Sequence, residues 1–333
     1  MKKMKTIHLN TRPIGTPQLS DFNLVNEDMP QVGDNEMLLK TTYISVDPYL
    51  RGRMMEGKSY IAPFELNKAL SSGMISEVVE SNLDGFKKGD FVSGMLEWKE
   101  YQTHNGEGLM KVDPAQASLS TYLGILGMTG LTAYLGLTEI GKPKAGETVV
   151  VSGAAGAVGS VVGQIAKLLG CRVVGIAGSD EKVEVLKSEY GFDAGINYKT
   201  TGDINKAIAE ACPNGVDVYF DNVGGEISDG VMFNLNRFAR IIVCGAISMY
   251  NSTSLPMGPR LDSILIKNSA LKQGFIVANY MAKFGEAIPK LAQWLQEGKL
   301  KSTETIVEGF ENTPQAFINL FEGKNKGKMI VKI

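Results

Sequence analysis

The second half of the chain alternates continuous apolar runs with segments of helical periodicity. The runs TVVVSG (148–153), CRVVGIAG (171–178) and RIIVCGAIS (240–248) contain few charged positions, which is typical of strands covered on both faces. Apolar positions with helical spacing follow the first two runs, at 157–169 and 179–191. Because strands and helices alternate, the pattern predicts an α/β domain with a doubly wound parallel sheet.

The first 125 residues have a different pattern. Short runs with strand character, at 36–46, 73–81 and 89–98, are separated by Gly, Pro and Asp, which predicts a domain of the β-barrel type. Residues 302–333 again read as strand, helix and strand. We therefore expect one domain formed by residues 1–125 and completed by 302–333, and a second domain formed by residues 126–301.

A glycine-rich turn, SGAAGAVGS (152–160), separates the first apolar run of the second domain from the helical segment that follows. Its glycines, Gly153, Gly156 and Gly159, have the spacing GxxGxxG. Small residues at such a turn let backbone N–H groups approach a phosphate. A small residue at Gly159 also lets the helix pack closely on the strand. The strand, turn and helix together predict a nucleotide-binding site.

The end of the second strand indicates which nucleotide binds. NAD sites usually carry an acidic residue about 20 positions after the glycines, where this chain has Gly178 and Ser179. This neutral pair leaves room for a phosphate on the ribose, and Lys182 follows it as a cation. In the alternative interpretation Asp180 supplies the ribose carboxylate, although Asp180 also suits the first turn of a helix. We favour NADP over NAD.

Composition and charge exclude other classes of function. The chain has 333 residues, 34 Lys and Arg, and 36 Asp and Glu, and its net charge of -2 gives no reason to expect a nucleic acid or a membrane as partner. No apolar run approaches about 20 residues, and the N-terminus lacks the apolar core of a signal peptide, so we expect a cytoplasmic protein. Cys171, Cys212 and Cys244, with His8 and His104, form no zinc-ligand pattern, so no metal is predicted, and the thiols of Cys171 and Cys244, which lie in apolar runs, are expected to be buried.

Several motifs in order along the chain carry a family resemblance. DPYLRGRM (47–54), LGMTGLTAY (126–134), the glycine turn with its helix and second strand (154–182), YFDNVGG (219–225) and CGAISMYN (244–251) resemble the zinc-independent medium-chain dehydrogenase/reductases. The chain is most similar to the prostaglandin reductase, alkenal/one oxidoreductase and curcumin reductase group. The resemblance implies a GroES-like catalytic domain, an NADP-binding Rossmann domain, reduction of carbon–carbon double bonds in α,β-unsaturated ketones and aldehydes, and a homodimer.

The resemblance also implies a set of cofactor contacts. Together with Ser179, which stands at the end of the second strand, they are Gly156, Ala157, Val158, Gly159, Lys182, Tyr198, Asn222, Cys244, Gly245, Ala246, Ile247, Ser248, Tyr250, Phe275, Ile276, Val277 and Asn325. Zinc-dependent relatives need a ligand near the start of their barrel, where this chain has Ser45 and Asp47, and the four-cysteine lobe of those relatives is absent.

Hydride transfer to the β-carbon of an enone places negative charge on the carbonyl oxygen, which needs a hydrogen-bond donor. Tyr250 is our candidate for this catalytic donor, and the alternative is that its ring only packs on the cofactor. Tyr49 is a second catalytic candidate that lines the pocket, or a structural residue of its turn. Arg51 either fixes that turn, for example by pairing with Asp47, or contacts a polar substrate tail.

The leading hypothesis is therefore an NADPH-dependent reductase of enones and enals. An alternative enzyme with the same cofactor is a quinone reductase, and an alternative of another class is a non-catalytic NADPH-binding sensor or structural protein. The long segment 249–263, which contains Pro and Gly, is predicted to cover the substrate and to tune specificity. The sheet-edge strand after 271–275 is a candidate for pairing with a second subunit, although the sequence alone does not give the oligomeric state.

Overall fold

The computed structural model describes residues 2–333, which fall into two compact units. The first unit runs from the N-terminal end to Leu123 and includes Glu304–Asn325 and Met329–Ile333. The second unit contains Gly124–Thr303 and Lys326–Lys328. The C-terminal segment thus belongs mainly to the first unit, with three of its residues in the second.

Strands predominate in the first unit, whereas strands and helices alternate in the second. In chain order, the strands are β1 (Lys3–Leu9), β2 (Phe22–Asp28), β3 (Met37–Ser45), β4 (Ser71–Ser81), β5 (Phe91–Glu97), β6 (Tyr101–His104), β7 (Met110–Val112), β8 (Thr148–Ser152), β9 (Arg172–Ala177), β10 (Ala194–Asn197), β11 (Val216–Asp221), β12 (Leu235–Val243), β13 (Leu271–Gly274), β14 (Glu304–Glu308) and β15 (Lys328–Lys332). The helices are α1 (Leu50–Arg53), α2 (Met128–Leu135), α3 (Gly159–Leu168), α4 (Asp180–Ser188), α5 (Ile204–Ala211), α6 (Gly225–Met232), α7 (Asp262–Asn268), α8 (Phe284–Gln296) and α9 (Thr313–Phe321).

The first unit is built on a sheet with the strand order β14-β15-β3-β4-β5-β7, with β6 also paired to β3 and a separate β1-β2 pair. The neighbours β15, β3, β4, β5 and β7 run antiparallel. Trp98 and Phe317 lie in the core of this unit, and the indole N–H of Trp98 donates to the Ser72 hydroxyl at 2.8 Å. Because Phe317 belongs to α9, the C-terminal helix supplies part of this core.

The second unit contains a six-stranded sheet with the order β10-β9-β8-β11-β12-β13. All five neighbouring pairs are parallel. Counted from β8, this order is 3-2-1-4-5-6, the order of a dinucleotide-binding Rossmann sheet, in which ligands bind beyond the carboxyl ends of the strands where the order reverses. The predicted fold class is confirmed, and the reversal lies between β8 and β11.

The central strand β8 shows why the buried strands of this sheet can be recognised in the sequence as continuous apolar runs. All five of its residues are buried, and Val149, Val150 and Val151 have no exposed surface. Helices cover both faces of such a sheet, so the strand keeps no polar face and shows no alternation.

One strand differs from the sequence expectation, and two helical segments are irregular. The strand predicted at 240–248 begins earlier, as β12, and ends at Val243, because the N–H groups of Cys244 and Gly245 both donate to the carbonyl of Asp221 and turn the chain. The helix α2 is followed directly by a π-helical stretch, Gly136–Gly141. The last long helix starts at Phe284 and follows a 3-10 segment. None of the described helices is long and apolar enough to cross a membrane.

Candidate active site

The glycine turn adopts the geometry that the sequence pattern predicts. Gly153 has a φ of +59°, and the N–H of Gly156 donates to the carbonyl of Gly153 at 3.0 Å. A Cβ added to Gly159 would lie 2.4 Å from that carbonyl oxygen and 2.8 Å from the Cα of Ala154. Only glycine therefore fits at the point where α3 meets the turn, as predicted for close packing of helix and strand.

The first turn of α3 offers hydrogen-bond donors to an anion. The N–H groups of Ser160 and Val162 already donate to the carbonyls of Gly156 and Val158. Within residues 2–333, the N–H groups of Val158 and Gly159, which precede them, have no acceptor, whereas the parallel bridge between Gly156 and Gly327 engages the N–H of Ala157. The first N–H groups of a helix have no partner within the helix and lie at the positive end of its dipole. The turn thus fits the pyrophosphate of a dinucleotide.

Tyr198 crowds the end of β9, where an NAD site would carry an acidic side chain. A Cβ on Gly178 would lie 3.0 Å from the hydroxyl of Tyr198, so the tyrosine covers this position. Ser179 caps α4 and its hydroxyl accepts the N–H of Lys182 at 3.2 Å. Asp180, the alternative ribose ligand, accepts the side-chain amide of Asn197 at 2.7 Å in the first turn of α4. This pairing favours the helix-end interpretation of Asp180.

The charge around Lys182 suits a phosphate. Its pKa is lowered mainly by burial and then by the positive charges of Lys199 and Lys326, while Glu181 opposes these effects. Neither Lys199 nor Lys326 is part of the sequence prediction. A bound anion would relieve the repulsion between the three ammonium groups, so this end of the sheet favours a phosphorylated ribose.

A buried hydrogen-bond network joins β8 to β11 where the strand order reverses. The Oδ1 atom of Asp221 accepts four hydrogen bonds, from the hydroxyls of Ser152 and Tyr219 and from the N–H groups of Val223 and Gly224. The side-chain amide of Asn222 donates to the Ser152 carbonyl at 2.8 Å. The network fixes Asn222. This hydrogen-bond network is not predicted from the sequence. An Asp at the end of an apolar strand, such as Asp221, is the signal that could have indicated it.

The turn that follows β12 presents Tyr250. The Tyr250 hydroxyl accepts the N–H of Ala246 at 3.2 Å, so its own proton remains available for donation. Burial raises the pKa of Tyr250, and Cys244 and Asp221 add to the increase, which keeps the phenol protonated at neutral pH. Cys244, predicted to be buried, is only half-buried because it lies in the turn after β12, and burial raises the pKa of its thiol to about 12.

The remaining residues predicted in this unit follow the other strands. Phe275 to Val277 come directly after β13. Phe275 is buried, its N–H donates to the Val243 carbonyl at 3.0 Å, and its ring lies 5.3 Å from that of Tyr280. Its side chain is therefore a packing residue, while Ile276 and Val277 are half-buried. The predicted cofactor residues of this unit all follow the carboxyl ends of its six parallel strands.

A cavity of about 200 Å³ lies beside the turn after β12. Asp221 and Val243 line it from the strand ends, and Met249, Pro256 and Met257 line it from the long segment after Tyr250. This segment is predicted as a loop over 249–263, and α7 begins at Asp262. The segment therefore forms one wall of a cavity next to the proposed donor.

The first unit holds the other predicted residues. Tyr49 packs against the hydrophobic core, and burial, followed by the charge of Asp47, raises its pKa. The Ser45 hydroxyl donates to Asp47. Arg51 is buried and donates to the carbonyls of Pro13 and Gly15 at 3.0 and 2.9 Å, so it fixes a loop. Asn325 also belongs to this unit, and its cofactor contact stays a prediction.

The two cysteines outside the turn after β12 are structural. Cys171 is buried as expected, Cys212 is buried as well, and burial raises the pKa of each thiol to about 11. Across residues 2–333, no group of three or more His, Cys, Asp or Glu side chains is placed to hold a metal ion.

Two protein families match the chain, one in each of its two units. Residues 5–112 match the family described as the N-terminal domain of oxidoreductase, and residues 157–297 match the family described as zinc-binding dehydrogenase. The chain is 43% identical over 330 residues to the NADPH-dependent curcumin reductase of Escherichia coli, covering 98% of this chain and 95% of the relative. It is 45% identical to prostaglandin reductase 1 of Bos taurus, with both chains fully covered.

The chain belongs to the medium-chain dehydrogenase/reductase family. The resemblance to its curcumin and prostaglandin reductase group is thereby confirmed. A Bacillus subtilis protein named as an NADP-dependent oxidoreductase is 60% identical over 98% of this chain and 97% of its own length. The solved structure of CurA from Vibrio vulnificus in complex with NADPH has a TM-score of 0.94 and 45% identity, over 98% of each chain. This medium-chain reductase thus shares its fold along its whole length with an NADPH complex.

Proposed function

We propose that this chain is an NADP-dependent oxidoreductase that reduces the carbon–carbon double bond of α,β-unsaturated ketones and aldehydes. The observation that carries the proposal is the full-length identity of 43% and 45% to a curcumin reductase and a prostaglandin reductase. When bound, NADPH supplies the hydride that reaches the β-carbon of the double bond.

The residues at the strand ends bind and orient the cofactor. The N–H groups of Val158 and Gly159 donate to the pyrophosphate at the start of α3, and Ala157 lies beside them in the turn. Lys182 binds the 2′-phosphate at the end of β9, where Gly178 supplies no carboxylate of the kind that an NAD site would carry. Asn222, held by Ser152, contacts the cofactor at the reversal of strand order.

Tyr250 donates a hydrogen bond to the carbonyl oxygen of the substrate. Negative charge develops on that oxygen as the β-carbon gains hydride, and a fixed donor stabilises it more in the transition state than in the ground state. The hydrogen bond from Ala246 holds the Tyr250 oxygen in place, and its raised pKa keeps the proton on it. The long segment with Met249 and Met257 supplies an adaptable apolar wall for the rest of the substrate.

The proposal is tested by NADPH oxidation against an enone, an enal, a quinone and a saturated ketone, each with and without enzyme. We expect turnover of the enone and the enal, with a saturated ketone or aldehyde as product. Turnover of the quinone without the enone would replace the proposal by a quinone reductase. Turnover of the saturated ketone alone would overturn the double-bond assignment.

Replacing Tyr250 by Phe removes only the proposed donor. We expect kcat with an enone to fall about 100-fold, which is the usual loss when one donor to a developing oxyanion is removed. The Kd of NADPH should change less than about twofold, because the ring remains and hydrogen bonds to neutral groups contribute little net energy.

Tyr134→Phe is the matched control for this change. Tyr134 lies in α2, with its ring 5.9 Å from that of Trp294, and we expect its variant to keep full activity. Unchanged enone turnover by Tyr250→Phe would show that Tyr250 only packs on the cofactor.

We also propose that the chain forms a homodimer through the edge of the Rossmann sheet. β13 is the edge strand, and apolar side chains lie exposed on it and near it in sequence: Leu255, Met257, Ile266 and Leu271. Ile266 is 79% exposed on α7, directly before β13. Light scattering should give twice the chain mass for the native protein and a monomer for an Ile266→Lys, Leu271→Lys variant. A monomeric native protein at micromolar concentration would contradict the dimer.

A further inference from the structure

A short piece of the C-terminal segment is fixed beside the glycine turn. The N–H of Gly327 donates to the carbonyl of Ala155 at 2.8 Å, and Gly327 forms a parallel bridge with Gly156. The next N–H, that of Lys328, donates to the carbonyl of Thr303 at 2.9 Å. Gly327 has a φ of +61°, and a Cβ there would lie 1.9 Å from the Thr303 oxygen, so the approach requires glycine.

This attachment places the preceding residue, Lys326, against the first turn of α4. Its ammonium lies 2.6 Å from a carboxylate oxygen of Glu181, the residue directly before Lys182. The two side chains are 41% and 72% exposed, so the pair is accessible to a ligand. The contact spans 145 residues of sequence and joins two parts of the same unit.

Three lysines thus converge on the end of β9. Burial is the main cause of the lowered pKa of Lys182, and the charges of Lys199 and Lys326 lower it further. The pKa of Lys326 is raised, chiefly by its hydrogen bond to Glu181. An exposed carboxylate is a weak partner because water screens the pair. A phosphate monoester carries a charge of about -1.5 to -2 and three acceptor oxygens, and so competes well for the same ammonium.

We propose that Lys326 is a second cation of the site for the 2′-phosphate of NADPH, which it binds in exchange for Glu181. The inference rests on the assignment of Lys182 to that phosphate under Proposed function. NADH has no 2′-phosphate, so with NADH Lys326 stays paired with Glu181. Lys326 is therefore a residue that determines specificity between the two cofactors, and it acts without touching the reacting atoms.

The test uses the full chain and measures binding by calorimetry with NADPH, NADH and 2′,5′-ADP. For Lys326→Gln we expect the Kd of NADPH and of 2′,5′-ADP to rise on the order of tenfold. This is the effect of losing one contact between an ammonium and a phosphate that water partly screens. The Kd of NADH should stay within about twofold. Lys187→Gln is the matched control, because Lys187 lies in the same helix as Glu181, pairs with Glu184 at 2.9 Å and should leave all three constants unchanged.

Two further variants separate the possible failures. If Lys182→Ala leaves the preference for NADPH intact, the assignment of the 2′-phosphate in the proposed function is wrong. If Lys182→Ala abolishes the preference and Lys326→Gln does not alter it, only the present inference fails. In a Glu181→Gln background, Lys326→Gln should still weaken 2′,5′-ADP binding about tenfold. Loss of that effect would show that Lys326 merely neutralises Glu181 and would overturn the proposal.

Discussion

Replacing Gly159 by Ala is expected to weaken NADPH binding about 100-fold and to lower the free energy of unfolding by about 1–3 kcal/mol. The new Cβ would lie 2.4 Å from the Gly153 oxygen, a backbone atom that cannot rotate away. Relief requires a shift of either α3 or the turn, and both carry N–H groups that we propose as donors to the pyrophosphate. Loss of one or two charge-assisted hydrogen bonds, each about 1.5–3 kcal/mol, accounts for the loss of affinity. Fluorescence titration and urea unfolding measure the two effects.

Gly285→Ala is the control for Gly159→Ala. Gly285 also lies in the first turn of a helix, α8, but nothing lies within 4 Å of a Cβ added there. We expect unchanged NADPH binding and equal or slightly higher stability, because Ala favours a helix over Gly by about 1 kcal/mol. If Gly159→Ala binds NADPH like the native chain, the turn does not hold the pyrophosphate in the way proposed.

The parts of the site that can be predicted are those that local chain geometry dictates. A helix that starts directly after a buried strand needs a small residue where the two cross, so Gly159 is identifiable from its neighbours alone. Serine is a favoured residue at the start of a helix, and the Ser179 hydroxyl does accept the N–H of Lys182. Both effects act within about four residues.

The parts that cannot be predicted depend on contacts between distant segments. Lys326 lies against Glu181 because Gly327 fits closely against Thr303. The residues next to Lys326 and Glu181 in the sequence give no sign of this ion pair. Likewise, the apolar run 240–248 continues past the true end of β12. The strand stops at Val243 because the Asp221 carbonyl accepts both of the next two N–H groups. The hydrophobicity of the sequence does not indicate these hydrogen bonds.

Asp221→Ala is expected to have the second large effect, a loss of about 3–5 kcal/mol in the free energy of unfolding together with loss of NADPH binding. Asp221 is 2% exposed, and its Oδ1 atom accepts four hydrogen bonds. Each buried donor left without an acceptor costs about 1–3 kcal/mol. The freed Ser152 hydroxyl no longer fixes the backbone N–H of Asn222, which lies 3.0 Å from it, so the proposed cofactor contact moves as well.

Asp217→Ala provides the comparison, because Asp217 lies at the other end of the same strand, β11. Its carboxylate accepts the N–H of Thr148 and the side-chain amide of Asn236, both at 2.8 Å, so the strand again loses hydrogen bonds. We expect a loss of stability of about 1–2 kcal/mol with unchanged NADPH affinity. Asp221→Asn keeps an acceptor oxygen and should fall between the native chain and the Ala variant in both measurements. If Asp221→Ala loses stability but binds NADPH normally, the network supports the sheet without positioning Asn222.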